Sequence, residues 1–338
     1  MKLIGLTFLL FLTALGNTAE KPRVWIISDM SDSRLPGNNH RSTINDPDDI
    51  SAMAGYLLMA NEFDTRGITV TSTNRPDHRT TPDQAAWANS FFGKAYRTDV
   101  ANLNKHLGGY PESIQFFESS IKKTAEKFRP HASYAKLDRF PSVAALLKEA
   151  KSSDQMLNIL CWGSLSEPAI FVKHCLDSDQ EDVLKKVQFI AHWTSSSFHM
   201  GTKANSETVP NCAEDAEACG FLKKAAHAGT IRYFECGAIG QFGIVEGGPK
   251  GDAYFNQFKR SRIGKIFAEG KYVRGKVDHS DSATYWVLLG KWDVGLDDLS
   301  PDGGNPPDTE KANEAAFKKA SKKIHDELLR RAKLAATR

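Results

Sequence analysis

The sequence predicts a single α/β domain in which a mainly parallel central sheet is flanked by helices. The first reason is that short apolar, β-branched runs alternate with longer amphipathic stretches along the chain, as in strand–helix–strand units. The second is that no internal repeat and no low-complexity linker divides the 338 residues. The third is an ordinary globular composition, with 41% hydrophobic and 25% charged residues. The net charge of +3 is too small to indicate nucleic-acid binding.

The predicted elements begin with a buried strand at residues 24–28, which are mostly β-branched or aromatic and include no turn residue. A helix follows after a polar loop, because Ile50, Met53 and Leu57 recur at helical spacing. The other strands are predicted at 67–72, 156–161, 187–191 and 230–234, and the other helices at 83–103, 112–128, 141–151, 168–176, 213–228, 252–270 and 317–334.

The last predicted helix, residues 317–334, is basic and amphipathic. Its Lys and Arg side chains lie opposite an apolar stripe formed by Phe317, Ile324 and Leu328. A helix on a membrane surface can have this pattern. It is more typical of a helix that packs through its apolar stripe and leaves its charged face in water. We therefore expect the domain, residues 22–338, to include this helix.

The first 19 residues have the composition of a secretory signal peptide. Lys2 precedes an apolar run from Leu3 to Leu15, and small residues follow up to Ala19, close to which we expect cleavage. The apolar run is shorter than the ~20 residues that a membrane-spanning helix needs. The sequence therefore predicts a secreted or periplasmic protein with no membrane association after cleavage.

Export would place the five cysteines in an oxidising compartment. Their odd number in a chain of this length is not typical of a disulfide scaffold. If Cys212 and Cys219 lie on one helix, they are roughly 10 Å apart and cannot bridge each other. A disulfide that includes Cys236 is an alternative that the sequence leaves open. No Cys/His spacing indicates a zinc site.

Acidic residues surround the junction between the first strand and the first helix. Asp29 ends the strand, and Asp46-Pro47-Asp48-Asp49 begins the helix, so the carboxylates lie where ligands bind in open α/β sheets. The same residues are typical of simple helix capping, with Asp46 as N-cap, Pro47 at the first position and two acids on the helix dipole. Adjacent carboxylates raise one another's pKa unless a cation intervenes. Ca²⁺, which takes about six to eight oxygen ligands, would be such a cation.

This arrangement resembles the calcium-binding signature of the nucleoside hydrolase superfamily. It is closer still to the secreted nucleoside-hydrolase-like domain of cellulose-binding-protein-like sequences, in which G-D-P-D-D is followed by a helix and N-E-F-D-x-x-G-I-x-x-T-S. This chain has NEFD at 61–64, then Gly67-Ile68 and Thr71-Ser72. The resemblance implies a nucleoside-hydrolase-like fold. It also implies a calcium-dependent hydrolase in which an Asp-activated water attacks the anomeric carbon of an N-glycosidic bond.

The resemblance also implies a set of metal ligands. The relatives place their first aspartates close together, whereas here residues 30–45 separate Asp29 from Asp46, so either of the two, or both, is the first ligand. In the relatives the backbone carbonyl before a Gly that ends a strand is another ligand; an ordinary strand-to-helix turn is the alternative reading. The relatives also have a distal carboxylate ligand before an apolar helix. Asp281 takes that place in this chain, and Asp278 is the alternative residue. The predicted ligands are Asp29, Asp46, Asp49, the carbonyl of Trp162, and Asp281.

The resemblance implies that Asp48 is the general base, because it directly precedes the predicted ligand Asp49. His279 is a candidate to protonate or hydrogen-bond the leaving group, since His titrates near neutral pH. A surface His beside helix-capping residues is the alternative for His279. Attack by water opposite the leaving group predicts inversion at the anomeric carbon.

Two amides and one indole are candidate substrate-binding groups. Asn211 matches an Asn of the relatives that precedes an acidic helix start and binds the sugar; capping of that helix is the alternative. Asn205 is a weaker match to an earlier Asn. The relatives have an acidic residue where this chain has Val209, which leaves the identity of the sugar open. Trp193 is a candidate to stack on a sugar or base, although aromatic residues are more commonly core.

Two other functions are compatible with these residues. One is a polysaccharide-binding or glycoside-hydrolysing protein, as the nearest relatives suggest. The other is a non-catalytic sugar-binding module that keeps calcium for structure. In each case we expect Ca²⁺ as cofactor, a small-molecule nucleoside or sugar as ligand, and no nucleic-acid partner. A homo-oligomer is an open option by analogy with the relatives.

Overall fold

The computed structural model describes residues 20–32, 46–71 and 83–337. The predicted signal peptide, residues 1–19, lies outside the described residues. So do residues 33–45, which form most of the polar loop between Asp29 and Asp46, and residues 72–82, which include Ser72 of the quoted motif.

The described residues contain a six-stranded sheet in which every neighbouring pair of strands is parallel. The strand order is β3-β2-β1-β4-β5-β6, so the chain builds outward from β1 on one side and from β4 on the other. This confirms the predicted single α/β domain with a mainly parallel sheet. The strands are β1 (Arg23–Ser28), β2 (Asp64–Val70), β3 (Phe116–Glu118), β4 (Leu157–Cys161), β5 (Val187–Ala191) and β6 (Arg232–Glu235), with an antiparallel hairpin of β7 (Tyr272–Val273) and β8 (Lys276–Val277).

Helices cover both faces of the sheet. They are α1 (Asp48–Leu58), α2 (Gln84–Ala88), α3 (Lys94–His106), α4 (Pro141–Lys151), α5 (Ser166–Asp177), α6 (Glu181–Leu184), α7 (Pro210–Ala213), α8 (Ala216–His227), α9 (Asp252–Phe255), α10 (Arg262–Ala268), α11 (Ala283–Leu289) and α12 (Pro307–Ala336). A π-helical segment, Asn89–Gly93, joins α2 to α3. Strands covered on both faces read as continuous apolar runs, which explains why they were recognisable in the sequence.

Alternate residues of each strand enter two separate cores. In β1, Val24 and Ile26 pack with residues of α1, α3, α10, α11 and α12, whereas Trp25 and Ile27 pack with residues of α4, α5 and α8. This division follows from the alternation of side chains along a strand. The stripe of Phe317, Ile324 and Leu328 is buried in the first core, which confirms that the C-terminal helix packs through its apolar side. No helix of the described ranges is long and apolar enough to cross a membrane.

The helix predicted over residues 112–128 is wrong. Phe116–Glu118 forms the edge strand β3, with Phe116 opposite Ile68 of β2, and only Thr124–Glu126 forms a single 3₁₀ turn. Phe116 packs in one core and Phe117 against the other. The adjacent apolar residues thus serve both faces of the sheet, and pairing with β2 outweighs the local helical spacing.

The helix predicted over residues 213–228 is divided into α7 and α8, because Asp215 has an extended φ of −148°. Cys212 and Cys219 therefore lie on different helices, with Cα atoms 5.4 Å apart, and form a disulfide. The expectation that one helix keeps them too far apart is wrong for this reason. Cys236 is a free, buried thiol, as are Cys161 and Cys175.

Candidate functional site

The acidic residues meet where the direction of strand building reverses, between β1 and β4. Asp29 directly follows β1, and Trp162 directly follows β4. Asp46 is next to Asp29, since its N–H lies 3.4 Å from the carbonyl oxygen of Asp29. This switch point at the carboxyl ends of parallel strands is the usual ligand site of doubly wound sheets.

Helix capping does not explain the acidic run. The N-cap position of α1 is occupied by Pro47, and no side chain makes a capping hydrogen bond there. The alternative in which Asp46 is the N-cap is therefore wrong. Asp48 and Asp49 do lie in the first turn, where carboxylates interact favourably with the helix dipole. The helix dipole therefore accounts for the carboxylates of Asp48 and Asp49. It does not explain why Asp29 and Asp46 lie beside them.

One part of the cluster surrounds a lysine. The Nζ atom of Lys271 lies 3.1 Å from Asp48, 3.4 Å from Asp278 and 3.8 Å from Asp46. Burial by itself would raise the pKa of Asp48, but the charge of Lys271 and the hydrogen bonds from Asp46 and Lys271 together lower it below its usual range. Burial and the charge of Asp48 raise the pKa of Asp46, and the same two causes raise that of Asp278 to about 7. Asp48 is thus the acid of this part that stays ionised.

The other part consists of Asp29, Asp49 and Asp281. Asp49 accepts a hydrogen bond from the Ser28 hydroxyl and is hydrogen-bonded to Asp281. Burial raises the pKa of Asp49 strongly, followed by the charges of Asp281 and Asp29. Burial likewise raises the pKa of Asp281. No lysine or arginine of the described ranges forms a salt bridge with Asp49 or Asp281.

The backbone beside Trp162 is pressed against this second part. A Cβ atom on Gly163 would lie 2.2 Å from Cγ of Asp29, closer than real contacts allow. A glycine is therefore required where the Asp29 carboxyl group approaches the turn after β4. This contact brings the predicted carbonyl ligand and the predicted carboxylate ligand to the same place.

The donor set of the second part fits calcium. Three carboxylates offer hard oxygen ligands, and Oδ1 of Asp49 is buried with no hydrogen-bond partner in the described part of the chain. In the arrangement present, Asp49 and Asp281 are hydrogen-bonded to each other. No three Asp, Glu, His or Cys side chains in the described ranges already form a metal-binding group. Calcium at this place stays a prediction.

The comparisons with known proteins agree with this architecture. Residues 41–196 match the family described as "Cellulose-binding Sde182, nucleoside hydrolase-like domain". The predicted resemblance to the nucleoside hydrolase superfamily is confirmed. No curated protein matches the chain significantly.

Solved structures extend the nucleoside-hydrolase-like match to most of the chain. A nucleoside hydrolase-related hypothetical protein from Saccharophagus degradans, associated with carbohydrate metabolism, is 15% identical with a TM-score of 0.62. The match covers 94% of this chain and 72% of that one. A purine-preferring ribonucleoside hydrolase from Gardnerella vaginalis is 13% identical with a TM-score of 0.48, covering 93% and 99%. At these identities the first match shows the fold alone.

Two of the predicted substrate-binding residues line a cavity of about 140 Å³ beside the acids. The amide nitrogen of Asn211 donates to the carbonyl oxygen of His192 at 3.0 Å. The indole of Trp193 donates to the carbonyl oxygen of Met200 at 2.9 Å. Asp46, Asp48 and Asp281 line the same cavity. We call this cavity the acidic cleft.

Two other predicted residues do not reach the acidic cleft. The ring nitrogens of His279 contact the Ser282 hydroxyl at 3.0 Å and Nε2 of His325 at 3.1 Å, and the ring is fully buried. Asn205 is exposed on a short 3₁₀ helix and does not line the cleft. The alternative reading of His279 as a surface residue is also wrong, since it packs between α12 and the segment before α11.

Sequence reasoning assigned no role to Lys271 or His192, which both line the cleft. Lys271 comes from the segment before β7 and carries no local motif that would reveal its role. His192 directly follows β5, and its Nε2 lies 3.7 Å from Asp281. Burial lowers the pKa of His192 to about 4, so the ring is neutral near pH 7. The sequence signal that could have indicated a role for His192 is its position at the end of a strand, next to Trp193.

Proposed function

We propose that the protein is an exported, calcium-dependent hydrolase of N-glycosidic bonds. One observation carries this proposal. An ionised carboxylate, Asp48, lies beside the buried carboxyl groups of Asp29, Asp49 and Asp281 at the switch point of a nucleoside-hydrolase-like sheet. Among the described residues, no lysine or arginine forms a salt bridge with Asp49 or Asp281. Export rests on the sequence of residues 1–19 alone.

The division of the acids by Lys271 supports one assignment of ligands. Asp46 lies 3.8 Å from the ammonium group of Lys271 and is hydrogen-bonded to Asp48. The Asp29 carboxyl group lies instead against the turn after β4, next to the carbonyl of Trp162. We therefore assign the calcium ligands to Asp29, Asp49, Asp281 and the carbonyl of Trp162, with Asp46 outside the set. When bound there, calcium would bind sugar hydroxyls and make a nearby water more acidic.

The residues of the cleft suit the remaining steps. Lys271 and the hydroxyl of Ser280, which lies 3.3 Å from Asp48, hold the Asp48 carboxylate in position. Asp48 then accepts a proton from water as general base. Asn211 and Trp193 line the same cleft and contact the sugar. Water that attacks from the side of Asp48, opposite the leaving group, inverts the anomeric carbon.

The experiment is a release assay on the full-length protein with neutral nucleosides, aryl glycosides and glycosides whose leaving group is anionic. We expect hydrolysis of at least one class, loss with a chelator, and recovery with Ca²⁺. Asp48→Asn should lower kcat by about 10²–10⁴-fold while folding and calcium binding persist. Asp308→Asn, an exposed acid at the start of α12, is the matched control and should leave kcat unchanged. Hydrolysis that is insensitive to chelator and to Asp48→Asn contradicts the proposal.

The family description favours a second candidate, a carbohydrate-binding or glycoside-hydrolysing protein. Retention of the protein on insoluble cellulose, with no release of base from any nucleoside, would support this candidate over the first. The variant Asp48→Asn distinguishes a glycosidase from a non-catalytic carbohydrate-binding module. A glycosidase loses turnover in this variant, whereas a non-catalytic module keeps the same binding constant.

A further inference from the structure

A second and larger cavity, of about 1030 Å³, adjoins the acidic cleft. Lys271 lines both cavities, and Pro47, between Asp46 and Asp48, lines the larger one. Lys271 therefore lies between the two cavities, and a ligand that occupies both would lie against this residue. We call the larger cavity the basic cavity because of its charged residues.

Positive charge dominates the basic cavity. Lys94, Arg262, Lys265 and Lys271 line it, together with one acid, Glu269. Glu269 already lies 3.9 Å from Lys259, and Lys271 is engaged by the aspartates of the cleft. Neither Lys94 nor Lys265 forms a salt bridge with another described residue. Two lysines thus remain for a ligand, in a cavity that none of the clustered aspartates lines.

Two partly exposed aromatic rings lie in the same cavity. Phe91 is 40% exposed and Tyr272 is 39% exposed. Both are held in place: Phe91 stacks on Trp87 with ring centroids 5.5 Å apart, and the Tyr272 hydroxyl donates to the carbonyl oxygen of Ala268 at 2.9 Å. Ordered aromatic surfaces of this kind bind flat or ring-shaped ligands at little entropic cost.

Most of the exposed large hydrophobic side chains of the described ranges line one of the two cavities. The large hydrophobic residues that are exposed in the described ranges are Phe91, Phe198, Met200 and Tyr272. Phe91 and Tyr272 line the basic cavity, and Met200 lines the acidic cleft. Exposed apolar groups that concentrate around adjoining cavities indicate a ligand-binding surface.

We propose that the basic cavity binds a ring-bearing anion, an organic phosphate or carboxylate, as the part of the substrate beyond the scissile bond. This proposal rests on the proposed function for its link to the scissile bond. The acidic cleft repels an anion and the two lysines attract one. The charge difference therefore orients a substrate with its sugar in the cleft and its charged leaving group in the basic cavity.

The test is calorimetric binding of phenyl phosphate to the full-length protein, with folding of each variant checked by circular dichroism. Lys94→Gln/Lys265→Gln should weaken binding about tenfold, since two ion pairs are lost. Phe91→Ala should weaken it as well. The matched control is Lys148→Gln/Lys151→Gln, which removes two lysines that line a separate cavity, and it should leave the affinity unchanged.

Three comparison ligands separate the alternatives. Benzoate binding as well as phenyl phosphate supports a site for any ring-bearing anion, and binding of phenyl phosphate alone supports an organic phosphate. Inorganic phosphate that binds as tightly as phenyl phosphate overturns the role of the rings. Phenyl glucoside that binds equally well without a charge overturns the role of the lysines.

Binding is measured without turnover, so the two proposals fail separately. A protein that binds phenyl phosphate in this cavity but hydrolyses nothing contradicts the proposed hydrolase and supports the anion site. A protein that hydrolyses neutral nucleosides as fast as glycosides with an anionic leaving group contradicts the anion site and supports the hydrolase.

Discussion

Lys271 pairs with one side of the acidic cluster. Its ammonium group lies within 4 Å of three carboxylates, whereas Asp49 and Asp281 form no salt bridge with a lysine or arginine in the described ranges. Several buried carboxylates cannot all stay ionised without compensation. The lysine compensates one side of the cluster, and the other side is where a cation would lower the free energy most.

This division predicts that Asp29 and Asp46 differ as calcium ligands. Asp29→Asn should weaken calcium binding by about 10–100-fold, because the carboxyl group packed against the turn that carries the Trp162 carbonyl loses its charge. Asp46→Asn should change the affinity far less, because Asp46 is paired with Lys271 and Asp48. Calcium titration calorimetry on both variants measures the difference. Equal losses would show that both residues are ligands.

Gly163 gives a second prediction at this scale. Gly163→Ala places a Cβ atom 2.2 Å from Cγ of Asp29, so the carboxylate must move away from the turn after β4. We expect calcium affinity to fall by about tenfold or more. Gly220→Ala is the control, since a Cβ atom there meets nothing within 4 Å. If calcium binding by Gly163→Ala equals that of Gly220→Ala, Asp29 is not held at the metal.

Among the elements, β1 and β2 are joined by a contact that only glycine allows. A Cβ atom on Gly67 would lie 2.5 Å from the ring of Trp25, and the indole of Trp25 donates to the Thr69 hydroxyl at 3.0 Å. The ring is fully buried and cannot turn away. Gly67 of the family motif therefore has a packing role in the centre of the sheet.

Gly67→Ala should lower the free energy of unfolding by about 1–3 kcal/mol through overpacking. Urea denaturation measures this loss. The same substitution in a Trp25→Phe background should cost clearly less, since the smaller ring leaves room for the methyl group. A cost that is the same in both backgrounds would assign the effect to backbone conformation rather than to the Trp25 contact.

Elements differ in how well local pattern predicts them. Residues 141–151 and 187–191 form a helix and a strand with the predicted bounds, because their periodicity and burial agree. Residues 112–128 have helical spacing but form an edge strand, since pairing with β2 is a non-local gain that the spacing does not reveal. Local pattern also missed the break between α7 and α8, and with it the Cys212–Cys219 disulfide.

On the scale of the whole molecule, α12 is tied to the segment before α11 through His325 and His279. Burial lowers the pKa of His325 to about 4, whereas an unfolded His titrates near 6.5. The unfolded chain therefore binds the extra proton between these values, and stability is lost as the pH falls from about 6.5 to 4. The charged residues that influence the ring are Asp326 and Lys276.

His325→Gln should remove much of this pH dependence. Urea denaturation of the wild-type protein and the variant, from pH 7 to pH 4, measures the difference in slope. Other buried carboxyl groups titrate in the same range, but they are common to both proteins and cancel in the comparison. We expect the difference to reach at most about 3 kcal/mol. Parallel slopes would show that His325 is not neutral in the folded state.

By itself the sequence determined the alternation of strands and helices, the acidic motif at the first strand–helix junction and the resemblance to nucleoside hydrolases. These features depend on residues that are close together in the chain. Only the tertiary structure decided that Lys271 pairs with Asp46 and Asp48, that Asp49 meets Asp281, and that His279 faces His325 instead of the cleft. Those contacts join residues far apart in the chain, and their energies depend on burial and on neighbouring charges, which no local pattern records.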